Sequence, residues 1–264
     1  MYGASERADR QETSWRVLYP RDCVKYIEAF RRYYWDHGGV CRMLHEFFQG
    51  QGGVSTVCEL GSGAGTNMLH LTEHGYACSG YDVNHESLEI AKSRAVSAGR
   101  EVEFSHLDFA STLPGRYFDA VVSLFVPISL GDMEALAWRV RDIVRPGGFF
   151  GCMLLALQPD YAEVKDNDVS TSEFLEVDGV DVVRMNFFRK RGYQIEFDGV
   201  YLANEPAGLR MFRDRDRYDL LSSSEQPLAV SEAAYRHVYR RRVEGKKDQC
   251  PPMTYEVLDI FQKL

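Results

Sequence analysis

The stretch VCELGSGAGTN, residues 57–67, decides the fold that we expect for this chain. A short apolar run leads into Gly61, Gly63 and Gly65, which stand at every second position. Such a run is typical of a buried strand, and glycine lets the chain turn sharply and lets a ligand approach the backbone. In open parallel sheets this kind of turn lies at the carboxyl end of a strand, where ligands bind. The stretch therefore predicts a strand, a ligand-binding turn and a helix.

Strands and helices alternate on both sides of the turn. The predicted helices cover residues 68–73, 86–98 and 133–144, and the predicted strands cover residues 55–60, 77–82, 102–106, 118–125 and 149–154. Residues 15–50 are predicted to be helical because their apolar side chains recur at helical spacing. Alternation of this kind is typical of βαβ units. We therefore expect an α/β fold with a Rossmann-like, doubly wound, mostly parallel sheet and N-terminal helices.

The second half of the chain has a different pattern. Residues 181–188, 194–202 and 209–220 predict three successive strands, which we interpret as an inserted antiparallel three-stranded lid. The tail predicts two helices, residues 231–242 and 254–264, although residues 226–230 and 234–243 can also be interpreted as strands that complete the sheet. If those strands are missing, the exposed sheet edge favours a homodimer.

Length, charge and composition limit the partners. The 264 residues suit one elaborated domain, and the net charge of -8 gives no basic surface for nucleic acid. No stretch approaches 18 uncharged apolar residues, so we expect no membrane contact. The six cysteines are dispersed without a C-x-x-C pair, which favours reduced thiols in a cytoplasm over a metal or disulfide framework.

Each of the first three predicted strands contains an acid near its end or is followed by one. Glu59 precedes the glycines, where an acid opposes a pyrophosphate but can face a cation; Asp82 ends the second strand, placed for ribose hydroxyls. Asp108 follows the third strand and can accept a hydrogen bond from an adenine amino group. Thr66 occupies the place of the third glycine of a dinucleotide turn, which disfavours a nicotinamide-dependent oxidoreductase.

Taken together, these motifs resemble those of class I S-adenosylmethionine-dependent methyltransferases. The matching motifs are E-x-G-x-G-x-G, the acid ending strand two, L-D-F after strand three, F-D-A-V-V-S-L-F at strand four and R-P-G-G before strand five. The resemblance implies that the cofactor is S-adenosyl-L-methionine. It assigns Glu59 and the glycines to the methionine part, Asp82 to the ribose and Asp108 to the adenine. The cofactor-binding residues that it implies are Glu59, Gly61, Ser62, Gly63, Gly65, Asn67, Asp82, Val83, Asp108, Phe109, Leu124 and Phe125.

A looser resemblance extends to small-molecule methyltransferases, including amino-sugar N,N-dimethyltransferases. It implies transfer of a methyl group to nitrogen or oxygen of a small metabolite by in-line displacement, without a metal because residues 123–125 offer no acid. Where those enzymes have a histidine after strand four, this chain has Ser129 and Leu130. Tyr33, Tyr34 and His37 are the candidate catalytic residues, which would close over the cofactor or acceptor.

The resemblance also suggests boundaries within the chain. Residues 1–50 would form an N-terminal helical lid, 51–160 the cofactor-binding core, 161–225 the inserted sheet and 226–264 a C-terminal helical segment of the same domain. Two other functions stay open: a cofactor-binding but catalytically idle partner subunit, and a methyltransferase that acts on a macromolecule. Asp119, which starts strand four, is expected to cap the turn before that strand.

Overall fold

The computed structural model describes residues 23–126, 128–158, 166–221, 228, 230, 232, 234–243 and 254–264. Within these residues the helices are α1 (Val24–Tyr34), α2 (His37–Gln51), α3 (Thr66–Glu73), α4 (His85–Ser97) and α5 (Leu130–Val140). The first strands are β1 (Thr56–Leu60), β2 (Ala77–Asp82), β3 (Val102–His106), β4 (Phe118–Ser123) and β5 (Val144–Leu157). The later strands are β6 (Asp166–Val177), β7 (Val180–Arg191), β8 (Gln194–Glu205), β9 (Gly208–Leu221), β10 (Tyr235–Val243) and β11 (Thr254–Lys263).

The core sheet confirms the predicted α/β fold. Its parallel strands lie in the order β3-β2-β1-β4-β5, so the chain reverses its direction of winding between β1 and β4. In open α/β sheets ligands bind in the crevice at such a reversal, outside the carboxyl ends of the strands. No helix among the described residues is long and apolar enough to span a membrane.

The antiparallel lid has four strands, not the three that we predicted. β6 pairs with β7 along its whole length, β7 with β8 and β8 with β9. The missed strand, β6, has the sequence DNDVSTSEFLEV, whose acids, serines and asparagine are typical of turns. Pairing with β7 overrides that local preference. β9 then continues beside β5 in parallel over two residue pairs, which joins the lid to the core sheet.

The two helices predicted for the tail are wrong, because both segments form strands. β11 lies antiparallel between β5 and β10, and eight of its ten residues are buried. A strand buried on both faces lacks alternation, and apolar residues at 257, 258, 261 and 264 mimic a helical face. The alternative strand at 234–243 is correct, and the segment 226–230 is described only at residues 228 and 230. The terminal strands β10 and β11 are therefore present, and a missing strand no longer supports a homodimer.

The N-terminal segment forms two helices, which divide at Trp35 and Asp36. Asp36 caps α2 by accepting a hydrogen bond from the backbone N–H of Gly39 at 3.0 Å. A Cβ on Gly39 would lie 2.3 Å from Asp36 Oδ2, so a larger residue here would displace the capping carboxylate. Predicted helix before residue 23 lies outside the described residues. α1 packs on the inner face of the lid, where Phe30 meets the ring of Tyr201 edge-on.

Candidate active site

The glycine-rich turn has the backbone that the sequence predicts. Gly61, Gly63 and Gly65 all have positive φ, at 80°, 52° and 74°. A Cβ on Gly61 would lie 2.5 Å from Val126 Cγ2, so the turn contacts the loop after β4 directly. On the other side Arg94 of α4 donates a hydrogen bond to the carbonyl oxygen of Ala64 at 2.8 Å. The turn is thus held between α4 and the end of β4.

Glu59 is the most unusual group at this turn. Its side chain is fully buried at the end of β1, and Asn67 Nδ2 donates to its Oε1 at 2.6 Å. No described residue hydrogen-bonds Oε2. Burial raises the pKa of Glu59 to about 8; the bond from Asn67 opposes the shift, and the charges of Asp82 and Glu28 add to it. A buried carboxyl with one open oxygen fits a cationic ligand better than a neutral or anionic one.

Asp82 links the end of β2 to the glycine-rich turn. Its Oδ2 accepts a hydrogen bond from the N–H of Gly63 at 2.7 Å, and its Oδ1 accepts one from the N–H of Asn84 at 2.8 Å. Val83 lies half-buried between these partners. Each carboxylate oxygen can accept a further bond, so two vicinal hydroxyls of a ribose can bind here. Burial raises the pKa of Asp82.

The predicted adenine residues lie beside the next strand. Asp108 is half-buried, and its Oδ1 accepts from the N–H of Ala110 at 3.0 Å. The ring of Phe109 is 4 % exposed and packs in the core that includes Met133 and Leu136 of α5. Asp108 therefore remains accessible at the carboxyl edge of the sheet, whereas stacking by Phe109 stays a prediction.

The loop after β4 is strained beside the glycine-rich turn. Phe125 has a φ of 54°, in the left-handed region that a non-glycine residue rarely adopts. Its ring centroid lies 4.5 Å from that of His37 and 5.1 Å from that of Trp35. Leu124, the residue before it, is buried in the core. The packing of the N-terminal helices on Phe125 therefore holds this conformation.

Two of the three catalytic candidates reach the site. His37 Nδ1 lies 2.8 Å from Asn67 Oδ1, so a His37–Asn67–Glu59 chain of hydrogen bonds crosses the site. Tyr34 lines a cavity of about 80 Å³ between α1, the loop after β4, β5 and the lid. Tyr33 does not line this cavity; its ring packs edge-on against Tyr34 at 5.4 Å.

The cavity is acidic. Asp214 and Asp216 reach it from the inner face of β9, and Glu256 reaches it from β11. Burial, together with the neighbouring Asp214, raises the pKa of Asp216 to about 8. Burial likewise raises the pKa of Glu256 to about 8. Groups with these values can hold or accept a proton near neutral pH.

Two arginines also line the cavity, and Arg31 pairs with Glu28 at 3.1 Å. Arg184 is surrounded by the rings of Phe30, Tyr34, Phe197 and Tyr201, whose centroids lie 4.8–5.7 Å from its guanidinium carbon. The N–H of Leu130 and the side chain of Gln194 bond to the two oxygens of Asp219, a further acid of the wall. Ser129 caps α5, since its Oγ accepts from the N–H of Asp132. Asp214, Asp216 and Glu256 therefore dominate the chemistry of the wall.

These three acids of the cavity were not predicted from the sequence, although one signal was present. Residues 213–217 read RDRDR, and alternate residues of a strand face opposite sides of a sheet. The acids of this run are buried toward α1, while Arg213 faces outward and pairs with Asp198 at 3.0 Å. The position of Glu256 depended on the tail being a strand, so the helical prediction concealed it.

Comparison with known proteins agrees with this arrangement. A model described as "Methyltransferase domain" matches residues 57–148. A ubiquinone biosynthesis O-methyltransferase of Paramagnetospirillum magneticum is 28% identical over 124 residues, which cover 47% of this chain and 48% of that protein. The chain thus spans about half the length of the curated relative that it matches.

Two solved structures share nearly the whole fold. The sugar N-methyltransferase KedS8 from Streptoalloteichus sp. has a TM-score of 0.67 and 16% identity, with 98% of this chain and 97% of that chain covered. An amino pentose methyltransferase of Micromonospora echinaspora, CalS10, has a TM-score of 0.65 and 17% identity, with 90% and 96% covered. Residues 57–148 of this chain accordingly match a methyltransferase domain, and the chain shares the fold of these two solved methyltransferases.

Proposed function

We propose that the protein transfers a methyl group from S-adenosylmethionine to the nitrogen of a small amine, without a metal. On the donor side, the open oxygen of Glu59 and the positive-φ glycines would receive the amino-acid part of the cofactor. Asp82 would bind the ribose, and Asp108 the adenine amino group. Ser62, Asn67, Val83, Leu124 and Phe125 would complete the walls. The cofactor supplies an electrophilic methyl group on sulfur when it is bound.

The acidic wall of the cavity is the observation that favours nitrogen over oxygen as the methyl acceptor. Amines are cations near neutral pH, and Asp214, Asp216 and Glu256 line the cavity that we assign to the acceptor. An ammonium has no lone pair, so it must lose a proton before it can attack. A carboxylate whose pKa is about 8 can take that proton, whereas a hydroxyl is too weak an acid for such a base.

The reaction balances without another reactant. The amine nitrogen forms a bond to the methyl carbon as the carbon–sulfur bond breaks, and the sulfur keeps the electron pair. The products are a methylated amine, S-adenosylhomocysteine and one proton, which passes from Asp216 or Glu256 to solvent. Alignment of the reacting atoms supplies much of the rate, up to roughly 7–11 kcal/mol of the barrier in ideal cases.

An acceptor screen tests the proposal. Formation of S-adenosylhomocysteine would be measured with matched pairs, each an amino sugar or simple amine and the alcohol that has hydroxyl in place of the amino group. Turnover confined to the amines is expected. Turnover of the alcohols instead would refute the choice of nitrogen, and tight cofactor binding without turnover of either series would favour an idle partner subunit. Binding of NAD in place of S-adenosylmethionine would refute the assignment of S-adenosylmethionine as the methyl donor.

Replacing Asp216 with asparagine should lower kcat/KM for the amine by roughly 10- to 100-fold, because the buried base is lost. The affinity for S-adenosylhomocysteine should stay within about twofold, because the residue lines the acceptor cavity. Initial rates from pH 6 to 9 give the measurement. A parallel Asp168→Asn variant, on the exposed part of β6, is the control. Unchanged kcat/KM in the Asp216 variant would contradict the assignment.

We also propose a division of the chain, a location and an assembly. The helices before residue 51 and the lid strands would select the acceptor, while residues 51–158 bind the cofactor. Five buried free cysteines among the described residues support a reducing cytoplasm.

The outer face of the lid supports a homodimer. Phe174, Val183, Leu202 and Met211 form one apolar row across its four strands, and Phe174 and Met211 are 60% and 67% exposed. An exposed apolar patch of this kind is typical of an interface. Light scattering should therefore give twice the monomer mass, and Met211→Glu should halve it. A monomeric wild-type protein would refute the assembly.

A further inference from the structure

Helix α1 brings two charged side chains to the glycine-rich turn. Glu28 is 7% exposed, and a Cβ on Gly63 would lie 3.6 Å from its Oε1. Arg31, one helical turn later, donates from Nη1 to the same oxygen at 3.1 Å. Neither residue belongs to the motifs after β1, yet both lie beside the turn that those motifs form.

The lid holds α1 in this position. Tyr26 donates a hydrogen bond to Glu205 of β8 at 2.8 Å, and its ring stacks on Phe212 of β9. Tyr26 is completely buried. The location of Glu28 and Arg31 is therefore set by packing between α1 and the lid, and does not depend on flexible surface side chains.

Three carboxyls and one guanidinium meet at this point. The negative charges of Asp82 and Glu28 act on Glu59, whose pKa is raised chiefly by burial, and the charge of Arg31 acts on Asp82 and on Asp216. Arg31 also lines the acceptor cavity. Glu28 and Arg31 of α1 thus lie between the donor site and the acceptor cavity.

A free amino-acid group matches this set of charges. It carries an ammonium, for which buried carboxylates are the appropriate partners, and a carboxylate, which a guanidinium can bind with two parallel hydrogen bonds. We propose that Glu28 and Arg31 of α1 recognise the amino-acid end of the cofactor, Glu28 together with Glu59 at the ammonium and Arg31 at the carboxylate. This inference rests on the proposed function, since it assumes that S-adenosylmethionine is the donor.

Contact between the cofactor and α1 would link the donor site to the acceptor cavity. The amino-acid end would contact a helix that is itself packed on the lid, so the donor would stabilise the wall of the acceptor cavity. Binding energy of the part of the cofactor that does not react would then help to position the acceptor.

Two ligands that differ in one group test the inference. S-adenosylhomocysteine and 5′-methylthioadenosine share the adenosine and the thioether sulfur, and only the first carries the amino-acid group. Calorimetry with full-length protein should show that Glu28→Gln and Arg31→Met weaken binding of S-adenosylhomocysteine by at least roughly tenfold, as expected for loss of a charged hydrogen bond. Binding of 5′-methylthioadenosine should change less than about twofold.

Two controls make the result specific. Asp82→Ala should weaken both ligands, because both contain the ribose, and Arg32→Met should weaken neither. Equal losses for both ligands in Glu28→Gln and Arg31→Met, or no loss for either, would overturn the inference while leaving the proposed function standing. If the wild-type protein binds neither ligand, the proposed donor itself is refuted and the inference falls with it. Melting temperatures of all variants would show whether each is folded.

Discussion

Replacing Glu59 with glutamine should weaken S-adenosylmethionine binding roughly 100-fold or more and, at the same time, stabilise the unliganded protein at alkaline pH. The first effect follows because a buried carboxylate is replaced by a neutral amide opposite a cationic ligand. The introduced amide would keep an oxygen in the place of Glu59 Oε1, which accepts from Asn67 at 2.6 Å in the native protein. The affinity loss should therefore occur without loss of the fold.

The second effect follows from the raised pKa of Glu59, about 8 in the folded chain. A carboxyl whose pKa is raised by folding contributes stability that is present below its unfolded pKa and is lost as the pH rises toward the folded value. The wild-type protein should thus lose stability between about pH 4.5 and 8 from this group. The glutamine variant lacks this dependence, so its advantage should reach a few kcal/mol above pH 8.

Urea unfolding at pH 6 and 9 and calorimetry with the cofactor measure both effects. Glu101→Gln, at an exposed acid before β3, serves as the matched control and should change neither quantity. A glutamine variant that binds the cofactor normally would remove Glu59 from the donor site. A variant that is less stable than wild type at pH 9 would contradict the account of its pKa.

Replacing Asp119 with asparagine should destabilise the fold by about 3–5 kcal/mol. Asp119 Oδ2 accepts hydrogen bonds from the N–H and Oγ of Ser55 and from the N–H and Oγ1 of Thr56, at 2.8–3.0 Å. Its Oδ1 pairs with Arg145 at 2.5 Å. An amide has one oxygen and one NH2 group, so it can accept hydrogen bonds at only one of the two positions. One set of donors would therefore lose its partner.

The stability that Asp119 contributes depends on pH with the opposite sign to that of Glu59. Burial of Asp119 works against ionisation, but the bonds from Ser55 and Thr56 outweigh it and lower the pKa of the carboxyl. Its stabilisation is therefore present above the unfolded value of about 4 and is lost as the pH falls below it. Urea midpoints at pH 7 and 3 should differ less in the asparagine variant than in wild type.

Asp119 lies at the start of β4, whereas the site residues follow its end, so the folded asparagine variant should keep the cofactor affinity. Ser55→Ala, which removes one of the four donors, should cost only about 1 kcal/mol. A stability change as small as this in the asparagine variant would refute the role of Asp119 as a link between β1 and β4.

Asp119 also illustrates what the sequence could predict. Its position before a strand favoured a capping role, and the structure places its carboxylate on Ser55 and on the first residue of β1. β2 and β3 were predicted at their observed bounds, because each begins two or three residues after a glycine that ends the preceding helix, Gly75 or Gly99. The prediction for β11 failed for a physical reason: a strand that is buried on both faces needs no alternation, and local spacing cannot distinguish it from a buried helix.

The donor side of the candidate site could be predicted from the sequence, and the acceptor cavity could not. Glu59, Asp82 and the glycines lie on consecutive βα units, so their order along the chain already predicts their proximity. Asp216 and Glu256 come from β9 and β11, which both pair with β5, and Arg31 comes from α1, which packs on the lid. Local patterns contain no information about such long-range pairing.

The junction of β5 with β9 has a consequence for how such a protein can diversify. Two residue pairs join these strands, Leu155 with Leu220 and Ala156 with Leu221. The strands of the lid can therefore change their inward-facing residues while the junction and the donor turn keep their sequence. A lineage could acquire new acceptors by substitution within β7–β9 and still inherit the same means of holding the methyl donor.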